Sequence, residues 1–441
     1  MNDIHELYSI FLQHRIISTD SRAVKPGSVF FALKGDRFDG NEYASLALDT
    51  GAAFAVIDDS RFQRDKRCLL VDDVLDTLQR LANHHRVRLG LKVIAITGSN
   101  GKTTTKELLS AVLRKKFNTL ATKGNLNNHI GVPLTLLQLT EEHQLAVIEM
   151  GANHQGEIAR LCEIAAPDLG IITNIGKAHL EGFGGIEGVK KGKGELYDYL
   201  KNHSGAAFVN SDSETLVGMA SGLKTITYGV GEYAWCHGKT IDSPMYLKVK
   251  CSVKEEKDFT GVEIFSGMEI NTHLTGSYNF ENVLAAVCAG SWFGVPAEKI
   301  KEAIEGYVPD NNRSQLVEKG SNLIVLDAYN ANPSSMEAAL DNFALLDKSK
   351  KVVILGDMME LGSESGSEHI RIVEKLGRMK FDKVILVGEL FGKCRDKIPC
   401  DYFTSSTELK QWLTRQVFSD TAFLIKGSRK VMLEKAAEAI A

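Results

Sequence analysis

The stretch ITGSNGKTTTKE, Ile96 to Glu107, constrains this chain more than any other. The apolar run VIAIT (Val93 to Thr97) reads as a buried strand, and Gly98 and Gly101 permit a tight turn that exposes backbone N–H groups. Lys102 then opens a helix whose N-terminus favours negative charge. A strand, glycine turn and helix in that order dictate a parallel α/β unit with a polyphosphate cradle formed by Gly98, Ser99, Asn100, Gly101, Lys102, Thr103 and Thr104. Lys102 is placed to reach β- and γ-phosphates as a point charge, and the Thr103 hydroxyl to ligate Mg²⁺. The motif is a short GxxGKT form, since Ile96 stands where the full Walker pattern has its first glycine.

The same rhythm recurs on either side. LAVIEM (Leu145 to Met150), LGIITNI (Leu169 to Ile175) and AAFVNSD (Ala206 to Asp212) are continuous apolar runs, as strands buried on both faces require. Alternating residues in YLKVKCSVKEE and TGVEIFSG, within 225–275, predict an antiparallel meander, and a helix is expected over Asn279 to Phe293. Before residue 91, VFFALKG (Val29 to Gly35), AAFAVID (Ala52 to Asp58) and CLLVDD (Cys68 to Asp73) read as short strands. The helical pattern Val74, Leu75, Leu78, Leu81 follows them and stops at Gly90. Past the Pro- and Asn-rich stretch Tyr307 to Gln315, a plausible hinge, LIVLDAY, VVILGDM, VILVG and AFLIKGS restart the rhythm and predict a second doubly wound sheet. The fold class is therefore α/β in three parts. Residues 1–90 form a small α/β unit, 91–312 a phosphate-loop, parallel-sheet unit with an antiparallel subsheet, and 313–441 a Rossmann-like doubly wound unit. A length of 441 residues suits this division better than one core.

Composition narrows the partners. Lys plus Arg number 52 against 56 Asp plus Glu, a net charge of −4 with both signs dispersed, which disfavours a nucleic-acid surface. No run approaches the roughly 20 apolar residues of a membrane span, and MNDIHELYSI lacks the features of a signal peptide, so the cytoplasm is the expectation. Seven cysteines without a CxxC pair point to neither a disulfide framework nor a thiolate zinc site.

Taken alone, other residues have ordinary readings. Glu149 ends a strand beside a glycine, where doubly wound folds place ligands, yet it could be a salt-bridged strand end. Lys190, Lys191 and Lys193 read from composition as a solvated helix face, and His179 as a packing or surface histidine. Asn279 and Asn282 offer amides to a base edge, or Asn279 caps its helix.

The phosphate loop resembles that of the Mur ligase family, and TDSRAVKPGSVFFALKGDRFDG, KGNLNNHIGVPLTLL, EMGANHQGEI, KAHLEGFGG, DAYNANPSSM, GDMMELG and KGSR extend the likeness over nearly the whole chain in family order. The resemblance is to the member that adds D-alanyl-D-alanine. It implies an ATP- and Mg²⁺-dependent ligase that joins the dipeptide to UDP-N-acetylmuramoyl-tripeptide through an acyl phosphate, in peptidoglycan precursor synthesis; a monomer is a separate expectation. It implies Glu149 and Thr103 on one Mg²⁺, and His179 with a carbamylated Lys193 on a second. It further implies Asn279 and Asn282 on the adenine side, Arg313 on the γ-phosphate, and Asp327 and Asn330 on ribose and nucleotide. Ser21, Arg22, Asn125, Asn127 and Asn128 are implied on the sugar nucleotide. The rivals are a related ligase for a different amino acid, and an ATP-binding regulator without ligase activity.

Overall fold

The computed structural model describes residues 4–241, 243, 245–255 and 261–440. Residues 1–3 of the N-terminal reading, and Glu256 and Thr260 at the ends of two expected strands, lie outside them. The N-terminal part is a parallel four-stranded sheet in the order Ile17–Ser18, Val29–Phe31, Phe54–Ile57, Cys68–Leu70. The expected strand Val29 to Gly35 stops at Phe31, and Lys34–Gly35 instead pairs with Phe38–Asp39. Helix Val74–Leu89 starts where the Asp73 side chain accepts from the Asp76 amide and ends on left-handed Gly90.

The central sheet has nine strands. Lys92–Thr97 lies between Leu145–Glu149 and Leu169–Ile172, all parallel, with Thr119–Ala121 at one edge. Val93, Ile94, Ala95 and Ile96 are fully buried, each large side chain contributing about 1.5–3 kcal/mol by leaving water. The chain runs from Lys92–Thr97 to that edge, returns beside it, and only later crosses to its other side. The carboxyl end of Lys92–Thr97 is thus a topological switch point, where a crevice opens.

On the far side, the expected meander needs one correction. Lys224–Gly229 pairs parallel with Cys236–Ile241 through only Tyr228↔Cys236 and Gly229↔His237. Antiparallel pairing begins with Lys248–Val253 and continues to Phe265–Asn271. A strand at Cys236–Ile241 was not anticipated, because CHGKTI has little apolar alternation. Helix Phe280–Trp292, preceded by a single 3₁₀ turn at Ser277–Asn279, packs against helix Lys102–Leu113.

The last sheet runs Gln315–Lys319, Asn322–Asp327, Thr421–Lys426, Lys350–Gly356, Lys383–Val387, Asp401–Phe403, parallel except for its first strand. This is the doubly wound sheet expected, with an added antiparallel edge. The connection at 307–314 is irregular, and Asn312 and Ser314 adopt left-handed backbone. Among the described residues no helix is long and apolar enough to cross a membrane.

Candidate active site

A cavity of about 990 Å³ opens at the switch point and is walled by the central and C-terminal units, with Leu75 and Gln79 of the N-terminal unit at one end. Ser99, Asn100, Gly101, Lys102, Thr103 and Thr104 line it, with Glu149, His179, Asn279, Asn282, Arg313, Asp327 and Asn330. Asn125, Asn127 and Asn128 line it as well. Ser21 and Arg22 do not. Arg22 is an exposed residue whose guanidinium is gripped by Asp20 at 2.8 Å, in a short turn of the N-terminal unit.

The loop conformation explains its glycines. Gly98 has φ 138° and a Cβ there would come within 2.0 Å of the Thr173 hydroxyl, while Gly101 has φ 79° and faces Asn282. Gly98→Ala is therefore expected to destabilise the protein by roughly 1–3 kcal/mol, read as a lower urea midpoint at unchanged slope. The Lys102 ammonium donates to the carbonyls of Gly98 at 2.7 Å and Ser99 at 3.1 Å. Burial brings its pKa down to about 8, against the pull of Glu149 and with a further push from Arg313.

Glu149 sits at the end of its strand, level with Ile96, and is buried. Its Oε1 accepts from the Asn127 amide at 2.8 Å, while Oε2 has no hydrogen-bond partner. A buried carboxylate oxygen left open in a cavity that the phosphate loop and Thr103 also line is an oxygen donor suited to Mg²⁺. The other implied metal ligands are arranged differently. His179, at φ 53°, pairs with Glu360 of the C-terminal unit. Lys193 does not lie on a solvated face: Val189, Lys193, Leu196 and Leu200 form the buried stripe of helix Ile186–Asn202. Its ammonium position is 3.2 Å from the Ala152 carbonyl and 4.9 Å from the centre of the Phe183 ring. Burial, then Lys102, drives its pKa well below that of an ordinary lysine. Among the described residues no three His, Cys, Asp or Glu side chains form a preassembled metal cluster.

Asn279 stands at the helix start, yet its side chain makes no capping bond. Its amide donates to the Thr275 carbonyl at 2.8 Å and its oxygen accepts from Asn282, which in turn accepts from Thr105. The two asparagines thus tie the phosphate-loop helix to helix Phe280–Trp292 from below.

Arg313 stacks on Tyr329, its guanidinium carbon 3.8 Å from the ring centre, and Arg429 lies over the same ring at 5.4 Å. That stacking orders a cation on the cavity wall. Asp327 pairs with buried Lys426 at 2.5 Å. Tyr329, Lys426 and Asn332 line the site without having been singled out from the sequence. For Asn332 a signal existed: Asn-Pro before a helical run marks a helix start, and Asn332 does cap helix Pro333–Leu345 with Pro333 at its first position.

Fold and site together define a phosphate-loop protein whose nucleotide-type crevice is closed from the other side by a doubly wound unit. Comparison with known proteins agrees with that class. Residues 96–290 match the Mur ligase middle domain, 312–429 the Mur ligase glutamate ligase domain, and 13–86 the Mur ligase family catalytic domain. The UDP-N-acetylmuramoyl-tripeptide–D-alanyl-D-alanine ligase of Bacillus subtilis is 34% identical over 433 residues, covering 95% of this chain and 91% of the relative. That of Escherichia coli is 33% identical, covering 96% and 93%. Among solved structures, MurF from Acinetobacter baumannii superposes with a TM-score of 0.87 at 31% identity, covering 99% and 98% of the two chains. The MurF ligase from Thermotoga maritima in complex with ADP gives 0.85 at 27%, covering 100% and 98%. The chain belongs to the Mur ligase family.

Proposed function

We propose that this chain joins D-alanyl-D-alanine to UDP-N-acetylmuramoyl-tripeptide, with ATP converted to ADP and phosphate, in peptidoglycan precursor synthesis. The observation that carries this reading is the convergence of the phosphate loop, the open Glu149 oxygen and the Tyr329-stacked Arg313 on one cavity. The full-length likeness to the dipeptide-adding ligases sets the substrates.

Condensing a carboxylate with an amine is uphill in water, so the carboxylate must first be activated. The tripeptide carboxylate attacks the γ-phosphorus and ADP leaves, giving an acyl phosphate. The dipeptide amine then attacks its carbonyl carbon, an amide bond forms, phosphate departs and the amine proton is released. Such chemistry asks the protein for alignment and charge neutralisation. Lys102 bears on the β- and γ-phosphates, and Arg313 on the γ-phosphate from the facing unit. Asp327 and Asn330 face the ribose side, and Asn279 and Asn282 hold the loop helix near the base. Asn125, Asn127 and Asn128, with Ser21 and Arg22, serve the sugar nucleotide. Glu149 and Thr103 would hold Mg²⁺, which when bound neutralises phosphate charge.

His179 and Lys193 are assigned to a second metal. Carbamylation of Lys193 suits its burial: the neutral amine favoured there adds to CO₂, forming an N–C bond and releasing a proton, and becomes a carboxylate. Wild-type protein in ¹³C-bicarbonate is expected to show a carbamate carbon signal that is absent in Lys193→Arg, and its absence from wild type overturns the assignment.

We take residues 1–90, 91–312 and 313–441 as the sugar-nucleotide, ATP and closing units, and place the chain in the cytoplasm as a monomer. The deciding assay follows ADP release with UDP-N-acetylmuramoyl-tripeptide. D-alanyl-D-alanine should raise it well above any single amino acid, and stimulation by lysine or diaminopimelate instead would refute the dipeptide assignment.

A further inference from the structure

Residues 173–181 form a strap between two bodies. On one side it grips the phosphate loop: the Asn100 amide donates to the Asn174 side chain at 3.0 Å, and the Thr173 hydroxyl donates to the Asn100 carbonyl at 2.6 Å. The Ser99 hydroxyl donates to the Gly176 carbonyl at 3.0 Å and accepts from the Gly176 amide at 2.9 Å. On the other side the strap meets the C-terminal unit. The Lys177 amide donates to the Ser334 hydroxyl at 3.1 Å, and the Lys177 ammonium to Glu368 at 2.5 Å.

Glu368 is 4% exposed, on helix Ser365–Arg378. Its second oxygen lies 3.0 Å from Arg371 of the same helix, which also reaches Glu337 at 3.1 Å. Oε2 thus has a cation of its own unit within ion-pair distance but accepts no hydrogen bond, whereas Oε1 accepts one from the strap lysine. A buried carboxylate half deprived of its cation is costly, so the seated arrangement is favoured over partial contact. Asn332 adds a direct tie, donating to the Asn100 side chain at 2.7 Å.

We propose that Lys177 and Glu368 are positioning residues: their ion pair registers the seating of the C-terminal unit on the strap, and through the strap it sets the order of the phosphate loop. Neither residue lines the cavity. The consequence for ATP rests on the functional reading above, whereas the coupling between helix Ser365–Arg378 and the loop does not.

The test uses the full chain as wild type, Lys177→Met, Lys177→Arg, Glu368→Gln and the double variant Lys177→Met with Glu368→Gln. ADP affinity, KM for ATP, kcat, and amide hydrogen exchange over residues 98–104 are measured. Each charge-removing single variant is expected to weaken ADP binding and raise KM for ATP about tenfold, with kcat at saturation changed far less. Exchange over 98–104 should quicken, Lys177→Arg should stay near wild type, and the double variant should be no worse than the poorer single one. Wild-type affinity and exchange in folded Lys177→Met overturn the proposal, as do independent, multiplying effects in the double variant. If wild type binds no ADP, the nucleotide reading fails instead. Exchange in the ligand-free chain then still decides: quickened in Lys177→Met it supports the coupling, unchanged it refutes it.

Discussion

Lys102→Ala is expected to lower pentapeptide formation about a thousandfold or more, with the fold intact by circular dichroism, because it removes a cation pre-aimed at the charge that develops on the transferring phosphoryl group. The geometry supplies the reason. The side chain is pinned to two carbonyls of its own loop, so it is already ordered at the helix N-terminus. A native rate in this variant would end the ligase reading. The same residue fixes a pH dependence. With its pKa held down to about 8, mainly by burial, Lys102 is charged below that pH and neutral above it. Polyphosphate prefers the charged form. ADP affinity should therefore be level below pH 8 and fall as pH rises, to about tenfold weaker at pH 9, as isothermal titration in the two conditions would show.

Glu149→Gln should cost about two to three orders of magnitude in kcat and move the Mg²⁺ requirement to much higher concentration. Glutamine keeps the volume and can still accept from Asn127, so packing survives. What changes is the open oxygen: it becomes an uncharged oxygen or a donor NH₂, and neither replaces a carboxylate on a hard cation. A Mg²⁺ titration with unchanged midpoint would remove Glu149 from metal binding.

The parallel sheets, the loop and the strand-end position of Glu149 could be read from sequence because they arise from local rules: apolar runs, glycine spacing and helix starts. Lys193 was harder for a specific reason. Counting lysines suggested a wet face, while the spacing Val189, Lys193, Leu196, Leu200 already put it on the dry one. The parallel pairing of Cys236–Ile241 could not be foreseen, since two paired residues leave no periodic trace. The Arg313–Tyr329 stack and the Lys177–Glu368 pair join residues far apart in sequence, and only the packing of one unit on another brings them together.

The cavity is continuous from Gln79 of the N-terminal unit and Arg160 of the central one to Lys426 in the last sheet. A single inhibitor carrying a nucleotide-like and a peptide-like portion could therefore occupy both halves at once. Tethering the portions removes translational and rotational freedom once rather than twice, so such a molecule should bind far more tightly than either fragment, provided its linker lets both reach their ends of the cavity.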